Sequence, residues 1–487
     1  MLKLRIVESG VWLRNVRLRM PFRFGSARMT AAPICHLRIV VEDASGRRGW
    51  GVAADLLPPT WFDKRPGRDL RRDLTDLLTS VDLARDAYLT HAQRLATPFD
   101  LWRETEAPIL AAGKQRDIPP LAAGCGAALY ERAVLDAAAR LLGQPAWRVI
   151  LSNELGIDLG SLHADLRRAS TPQTVLPAQP LDTIWVRHTI GLADPLTDAD
   201  LGAGEALNDG LPQTLEQALN FYGVCYLKIK IGAGVEADLE RLKRIAGVVD
   251  KLPNYYATLD GNEQYHSWED LVRLVRLIRE APALKRLAES VLFVEQPLYR
   301  DQALAEEGAA ARARAAAWRP LLIDESDDTL EAWPRAAKLG YRGVSFKGCK
   351  GFYKGLRNKA LALAWQSAGQ GDFILSSEDL TAPPLVPLQQ YLTLGAILGI
   401  EHQERNGHHY THGLDLLSVV EREQAIHTHP DLYADGKVFA RLRVEKGQMK
   451  IGSLLKQPGL ALAHEPHWAA LIPQEKWTVE SVEAGDF

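Results

Sequence analysis

The sequence predicts an α/β protein: a (β/α)8-type barrel that follows an N-terminal region of mixed α and β structure. Two observations favour the barrel. Eight short apolar segments alternate with helix-like segments over residues 185–401, and charged residues stand at the ends of most of them. An open doubly wound sheet is the alternative, but no Gly-x-Gly-x-x-Gly follows a first strand. The 487-residue length exceeds what one ordinary core needs, which agrees with a barrel carrying a second domain.

The N-terminal third changes pattern along its length. Residues 2–7 and 11–19 alternate apolar with basic side chains, and residues 34–42 form an apolar strand. Residues 70–142 have helical periodicity that stops at Gly143. Residues 150–182 are rich in Ser, Thr, Pro and Gln, so we expect an irregular connector there.

Strands and helices of the barrel follow from short apolar runs and the amphipathic segments between them. The predicted strands are 185–191, 225–231, 255–260, 291–295, 321–324, 343–347, 373–376 and 397–401. The predicted helices are 235–251, 268–280, 303–317, 329–339, 353–368 and 384–394.

Composition excludes several classes of protein. The formal net charge of −3 provides no basic excess for nucleic acid, and no run of 18 apolar residues suggests a membrane span. The N-terminus lacks the apolar centre of a signal peptide, and the four cysteines are too far apart for a disulfide framework. We therefore expect a cytoplasmic protein that binds neither nucleic acid nor membrane.

Charged residues recur where barrel strands end, which is where barrels of this kind place their chemistry. Lys228 and Lys230 lie on one face of the second strand because strand side chains alternate. The next four strand ends carry Asp260, Glu295, Asp324 and Lys347. Counted from Lys230, the successive spacings are 30, 35, 29 and 23 residues, each about one βα unit. The last predicted strand ends near Glu401.

Three carboxylates on successive strands predict a metal site. Asp260, Glu295 and Asp324 would raise one another's pKa values unless a cation lay between them. A donor set of oxygens alone suits a hard ion, so we expect Mg²⁺, with Mn²⁺ as a possible substitute. The alternative is that the carboxylates form salt bridges with the lysines. If a metal is bound, a ligand held on it would have Lys230 on one side and Lys347 on the opposite side.

Five motifs at the strand ends resemble the enolase superfamily, in particular the muconate lactonizing enzyme subgroup (mandelate racemase/muconate lactonizing enzyme-like). They are LKIKIG (227–232), LDGNEQY (259–265), VEQPL (294–298), IDESD (323–327) and VSFKGCKG (344–351). The resemblance extends to MPFRFGSARMT (20–30), GRRGWG (46–51), ALYERAVLDAAARLLGQPAW (128–147) and QPGLAL (457–462). It therefore covers the chain nearly from end to end.

The resemblance implies an N-terminal α+β capping domain that C-terminal residues complete. The implied division is 1–182 for the capping domain with its insertions, 183–415 for the barrel and 416–487 for a C-terminal segment that returns to the cap. Residues 20–30 correspond to a mobile capping loop, whose Phe24 we expect to contact substrate.

The resemblance also assigns roles at the barrel mouth. Lys230 and Lys347 become the acid/base residues on the two faces of the substrate, and Lys228 the electrostatic helper of Lys230. Asn262 and Glu325 would orient the ligands and lysines. From the seventh-strand motif, Ser376, Ser377 and Glu378 would help to hold the substrate, and Glu401 is a further candidate.

The implied reaction removes a proton α to the carboxylate of a small substrate and forms an Mg²⁺-stabilised enediolate. Collapse of the enediolate would give racemisation, epimerisation or cycloisomerisation. One alternative is a lyase that removes water by syn elimination from an acid sugar or related hydroxy acid. Another is a non-catalytic relative that only binds a ligand. We expect a homo-oligomer, as is common for such barrels.

The chain departs from the family pattern at three places. Val52 stands where a Glu usually follows the Gly-Trp-Gly turn. Lys350 follows Lys347 closely and is a rival for the second acid/base role. Extra residues lie around 55–120, 150–182 and 193–215.

Histidines outside these motifs are interpreted as structural. His408 and His412 are four residues apart, but Gly407 and Gly413 favour a loop over a helical zinc pair. We expect that loop to contact substrate or a subunit interface. His188, on the first barrel strand, is expected to be structural.

Overall fold

The structure is a computed structural model that describes residues 1–25, 27–91, 93–168, 170–436 and 439–484. Its strands are β1 (Leu4–Phe24), β2 (Ala27–Asp43), β3 (Arg48–Leu56), β4 (Thr183–Ile190), β5 (Tyr226–Lys230), β6 (Tyr256–Asp260), β7 (Val291–Glu295), β8 (Leu321–Ile323), β9 (Gly343–Phe346), β10 (Ile374–Ser377), β11 (His402–Glu404), β12 (Tyr433–Asp435), β13 (Ala440–Leu442), β14 (Gln448–Lys450) and β15 (Ile472–Pro473).

Helices occupy most of the intervening chain. They are α1 (Leu70–His91), α2 (Pro98–Gln115), α3 (Pro120–Leu141), α4 (Ala146–Leu151), α5 (Leu215–Tyr222), α6 (Val235–Val249), α7 (Trp268–Glu280), α8 (Lys285–Ser290), α9 (Arg300–Ala303), α10 (Ala309–Ala316), α11 (Ala332–Lys338), α12 (Phe352–Ser367), α13 (Val386–Ile397), α14 (Gly407–Tyr410), α15 (Val419–Thr428) and α16 (Val479–Ala484). None of the helices in the described ranges is long and apolar enough to cross a membrane.

An antiparallel sheet forms the N-terminal layer, with strand order β15-β1-β2-β3. Helices α1, α2 and α3 pack against one another, and α3 lies against β2 and β3. Gly51 permits this close packing, because a Cβ atom there would lie 2.0 Å from the main-chain oxygen of Ala133 on α3.

The barrel consists of eight parallel strands, β4 to β11, in sequence order. The sheet closes because β11 pairs with β4, with His402 opposite Trp185 and Glu404 opposite Arg187. Residues on both faces of these strands are buried, as expected of strands with helices outside and a packed interior. The predicted (β/α)8-type barrel with an N-terminal cap is confirmed.

Two sequence predictions need correction. Residues 397–401 were expected to form the eighth strand, but Ile397 ends α13 and the strand occupies 402–404. Residues 20–30 were expected to form a loop, but the ends of β1 and β2 continue through them as a hairpin. Ser26 lies outside the described residues.

The C-terminal segment contacts both layers. Strand β14 pairs antiparallel with β4 of the barrel, and β15 pairs with β1 of the N-terminal sheet. We propose the same three-part division as the sequence analysis, with residues 416–487 joining the two layers.

Candidate active site

Four charged side chains are brought together by the register of three neighbouring strands. Lys230 pairs with Asp260 across β5 and β6, and Asp260 pairs with Glu295 across β6 and β7. Lys228 precedes Lys230 by two residues, so both ammonium groups point into the barrel while Ile229 points outward. Lys228 and Lys230 are only 1% and 5% exposed. Such deeply placed cations need acidic partners, and the structure supplies them.

Lys228 lies at the centre of four carboxylates. Its Nζ is 3.0 Å from Asp260, 2.8 Å from Glu295, 2.6 Å from Glu378 and 3.0 Å from Glu404. Burial on its own lowers the pKa of Lys228, but these negative charges outweigh burial and hold that pKa well above its usual value. Lys228 is therefore an ammonium ion that ties together side chains from four strands.

Lys230 of β5 and Lys347, directly after β9, line one cavity of about 30 Å³. Lys230 donates to Asp260 Oδ2 at 2.6 Å, and Lys347 Nζ lies 2.8 Å from Asp324 Oδ2. Burial lowers the pKa of Lys347, but Asp324 outweighs it and raises that pKa overall. Two amines thus face one space, each held by a carboxylate.

Lys350 also contacts Asp324 but from another side. Its Nζ lies 3.0 Å from Asp324 Oδ1 and donates to Ser345 Oγ at 2.6 Å. It lines a different cavity, which it shares with Glu106 and Glu131 of the N-terminal helices. This position suits Lys350 to hold Asp324 in place.

The roof of the cavity comes from the N-terminal domain. Phe22, Phe24 and Met29 of the β1–β2 hairpin line it, as does Trp61 of the segment after β3. The Trp61 ring centroid is 4.2 Å from Lys347 Nζ, a cation–π contact. Ligand pockets commonly hold about 300–1,000 Å³, so we infer that the roof must move to admit a substrate.

Asn262 and Glu325 lie beside the carboxylate cluster. The main-chain N–H of Asn262 donates to Asp260 Oδ1 at 2.9 Å, and the Asn262 side-chain amide donates to Glu325 Oε1 at 3.2 Å. Lys64, from the segment after β3, donates to the same Glu325 oxygen at 2.7 Å and contacts Glu263 at 2.9 Å. An N-terminal residue therefore reaches the loops that carry the barrel's site.

Oxygen donors in the cluster have the chemistry of a hard-cation site. Among the residues that the structure describes, none donates a well-aligned hydrogen bond to the buried Glu295 Oε2 or Asp324 Oδ2, although a lysine Nζ lies 2.8 Å from each. Within the described residues, no three His, Cys, Asp or Glu side chains surround a common point as metal ligands. The donor set thus fits Mg²⁺ by its chemistry, while its present partners are ammonium groups.

The pKa values of Glu295 and Asp324 are displaced in opposite directions. Burial raises the pKa of Glu295 well above its usual value, and the neighbouring Asp260 and Glu378 raise it further. For Asp324, burial is outweighed by Lys347 and other nearby lysines, which hold its pKa well below the usual value. Such divergence is typical of functional sites, although structural ion-pair networks also produce it.

The residues predicted on the seventh strand contact Arg187. Arg187 of β4 donates to Ser376 Oγ at 2.9 Å and to the main-chain oxygen of Ser377 at 3.0 Å, and it pairs with Glu378. The cavity-lining residues from this region of the described chain are 379–381. Substrate contacts at Ser376, Ser377 and Glu378 stay a prediction.

Glu401 is exposed and precedes β11, whereas Glu404 ends that strand, is 2% exposed and lines the cavity. Among the described residues, Glu404 and not Glu401 lines the cavity, and a role of Glu401 in substrate binding stays a prediction. Glu404 also accepts a hydrogen bond from Thr189 Oγ1 at 2.6 Å.

Arg187 and Thr189 were missed, although a signal was present. Arg187 and Thr189 are two residues apart on β4, as Lys228 and Lys230 are on β5. Their side chains therefore lie on one face of the strand, which is the face toward the barrel interior. His188 between them faces outward and contacts His408, with 3.1 Å between Nδ1 and Nε2. The structural interpretation of His188 agrees with this placement.

His408 and His412 do not form a pair. His408 is buried beside His188, whereas His412 binds Asp415 Oδ2 at 2.6 Å near the surface. Residues 407–410 form the short helix α14, where a loop was expected.

Solved structures share this fold across nearly the whole chain. A dipeptide epimerase from Enterococcus faecalis V583, complexed with Mg and L-Leu-L-Tyr, is 15% identical with a TM-score of 0.58, covering 94% of this chain and 100% of its own. An N-succinyl Arg/Lys racemase from Bacillus cereus ATCC 14579 is 16% identical with a TM-score of 0.60, covering 98% of each chain. An enolase from Bradyrhizobium, complexed with magnesium and mandelic acid, is 18% identical with a TM-score of 0.58, covering 96% and 98%.

Neither a protein-family model nor a curated protein matches the sequence. At these identities the structural likeness establishes the fold, which is that of the family whose strand-end motifs this sequence resembles.

Proposed function

We propose that this chain is an isomerase of the enolase superfamily, close to the muconate lactonizing enzyme subgroup. It removes the proton α to the carboxylate of a small substrate and returns a proton, with racemisation, epimerisation or cycloisomerisation as the outcome. The observation that carries the proposal is that Lys230 and Lys347 line one cavity, each paired with a different carboxylate, Asp260 and Asp324. A racemase or epimerase needs an acid/base group on each face of its substrate carbon.

Asp260, Glu295 and Asp324 would hold Mg²⁺, or Mn²⁺ in its place. Bound there, the cation would stabilise the negative charge that develops on the substrate carboxylate when the α-proton leaves. Lys350 and Ser345 donate hydrogen bonds to Asp324 Oδ1, and the main-chain N–H of Asn262 donates to Asp260 Oδ1. These contacts would hold the two carboxylates in position.

Charge balance supports a neutral amine in the working site. Five buried carboxylates face five buried cations: Asp260, Glu295, Asp324, Glu378 and Glu404, against Lys228, Lys230, Lys347, Lys350 and Arg187. The carboxylates and cations of this set are equal in number. A dication bound among the carboxylates would add positive charge beside Lys230 and Lys347, and nearby positive charge favours the free-amine form that a base requires.

Lys228 is the lysine least suited to lose that proton, since four carboxylates stabilise its charge. Lys230 and Lys347 each have one close carboxylate, and both lie at the cavity. We therefore assign proton transfer to Lys230 and Lys347, and to Lys228 the task of holding the carboxylates together.

The proposal is tested by exchange of substrate α-protons with deuterated solvent, followed by NMR. Because the similar structures include a dipeptide epimerase and an N-succinyl amino acid racemase, the panel begins with dipeptides and N-acylamino acids. Acid sugars and lactonisable diacids complete it. We expect Mg²⁺-dependent exchange with at least one class, which chelator should stop.

Variants identify the groups responsible. Lys230→Met with Lys347→Met should abolish exchange, whereas Lys251→Met, at an exposed ion pair, should leave it unchanged. Loss of water instead of isomerisation would assign the chain to the lyases. Binding of a panel compound without any exchange would identify a non-catalytic relative and refute the proposal.

A further inference from the structure

A second cavity lies outside the barrel mouth and is far larger than the one between the lysines. Its volume is about 850 Å³, within the range typical of small-molecule sites. Its walls are the β1–β2 hairpin, helix α6 and the segment 193–215. That segment is one of the stretches by which the chain exceeds its apparent relatives.

Arginine dominates the charge of this cavity. The five that line it are Arg19, Arg23, Arg28, Arg241 and Arg244. Three of them have partners in the walls: Arg19 binds Asp209 at 2.7 Å, Arg244 pairs with Asp200, and Arg241 donates to main-chain oxygens. These three contacts explain how segment 193–215 is held in place.

Arg23 and Arg28 are different. They are exposed and stand directly opposite each other across the hairpin, and neither has an ionic or hydrogen-bonding partner for its side chain among the described residues. Like charges directly opposite in an antiparallel pair destabilise it. An anion between the two guanidinium groups would remove that repulsion and could accept paired hydrogen bonds from each.

The hairpin separates this cavity from the catalytic one. Because strand side chains alternate, Arg23 points away from Phe22 and Phe24, which line the cavity of Lys230 and Lys347. The same two strands therefore form the roof of one cavity and the wall of the other.

We propose that the large cavity binds a small dianion, a phosphate or dicarboxylate, between Arg23 and Arg28. Because bound anion relieves the repulsion within the hairpin, occupancy stabilises the hairpin in its position over the catalytic cavity. The binding step does not depend on the proposed reaction, and a chain without isomerase activity would still show it.

Isothermal titration with inorganic phosphate and, separately, with malonate tests the binding and distinguishes the two anion classes. Arg23→Gln/Arg28→Gln should weaken binding of the preferred anion by about tenfold or more, since each charged hydrogen-bond pair contributes at least that factor. Arg276→Gln/Arg279→Gln removes two exposed positive charges from α7 and should leave the affinity unchanged. Equal weakening in both variants, or no saturable binding of either anion, would overturn the proposal.

Hydrogen exchange of the hairpin amides provides a second measurement. The preferred anion should slow exchange in residues 20–24 of the wild type and have no such effect on Arg23→Gln/Arg28→Gln. Exchange that is unchanged by a saturating anion would overturn the stabilising role of the site.

Discussion

Lys64 connects the N-terminal domain to the loops that follow Asp260 and Asp324, and its removal tests how that connection is made. Its Nζ lies 2.7 Å from Glu325, 2.9 Å from Glu263 and 3.0 Å from the main-chain oxygen of Asn262. The Lys64 side chain is 11% exposed, and both carboxylates are fully buried. Burial lowers the pKa of Lys64, but the two carboxylates outweigh it and raise that pKa overall.

Lys64→Met preserves the stem of the side chain and removes its charge. Glu263 keeps a partner, because Arg300 binds it at 2.9 Å, whereas Glu325 keeps only the Asn262 amide. Breaking a buried ion pair from one side costs about 3–5 kcal/mol. With one carboxylate still paired, we expect the lower end, a loss of about 3 kcal/mol in the free energy of unfolding.

The assay is urea denaturation followed by circular dichroism, with the m-value compared between variants. Lys64→Met/Glu325→Gln should recover part of the loss, because the charge left behind is also removed. A coupling free energy of about 1–3 kcal/mol is expected for directly contacting partners.

Lys251→Met serves as the matched control, since its pair with Glu216 is solvent-exposed on both sides. We expect no measurable change in stability from it. A Lys64→Met variant as stable as this control, with no coupling to Glu325, would refute the view that this contact holds the segment after β3 on the barrel.

Three further predictions follow from the same geometry. Glu295→Gln should abolish Mg²⁺ binding, measured by calorimetry, while the circular dichroism of the barrel persists; normal metal affinity would show that Glu295 is not a ligand. Lys347→Met should stop deuterium exchange at one stereochemical face only. Lys350→Met should weaken Mg²⁺ binding and lower exchange at both faces equally. Face-selective loss of exchange in Lys350→Met instead of Lys347→Met would transfer the acid/base role to Lys350. Burial raises the pKa of Glu131 from 4.5 to about 8, so the folded chain keeps a proton that the unfolded chain loses and stability falls as pH rises between these values. Glu131→Gln should remove that fall when unfolding free energies at about pH 5 and pH 8 are compared, and an undiminished fall would contradict the assignment.

Local sequence was sufficient for most of the barrel. Seven strands lie within a few residues of their predicted bounds, and Asp260, Glu295 and Lys230 occupy adjacent register positions as their spacing implied. Short apolar runs that end in a charged residue are informative because a barrel buries both faces of a strand and opens only at its carboxyl end.

The eighth strand could not be found in this way. The run that ends at Ile400 is apolar because α13 is buried on every side, and a short apolar run does not distinguish a buried helix from a strand. The strand observed is His402–Glu404, and none of its three residues is apolar. The sequence analysis therefore placed the strand end at Glu401 and did not identify Glu404.

What the sequence by itself determined is therefore which residue types stand at the strand ends, and hence the class of chemistry to expect. Only the tertiary structure decided which charges meet. It placed Glu404 beside Lys228 and Arg187 beside Glu378. It also paired Lys347 and Lys350 with different oxygens of Asp324, and it brought Lys64 from a distant segment to Glu325. These contacts join residues far apart in the chain, and their partners are set by barrel closure and domain packing, which local patterns do not encode.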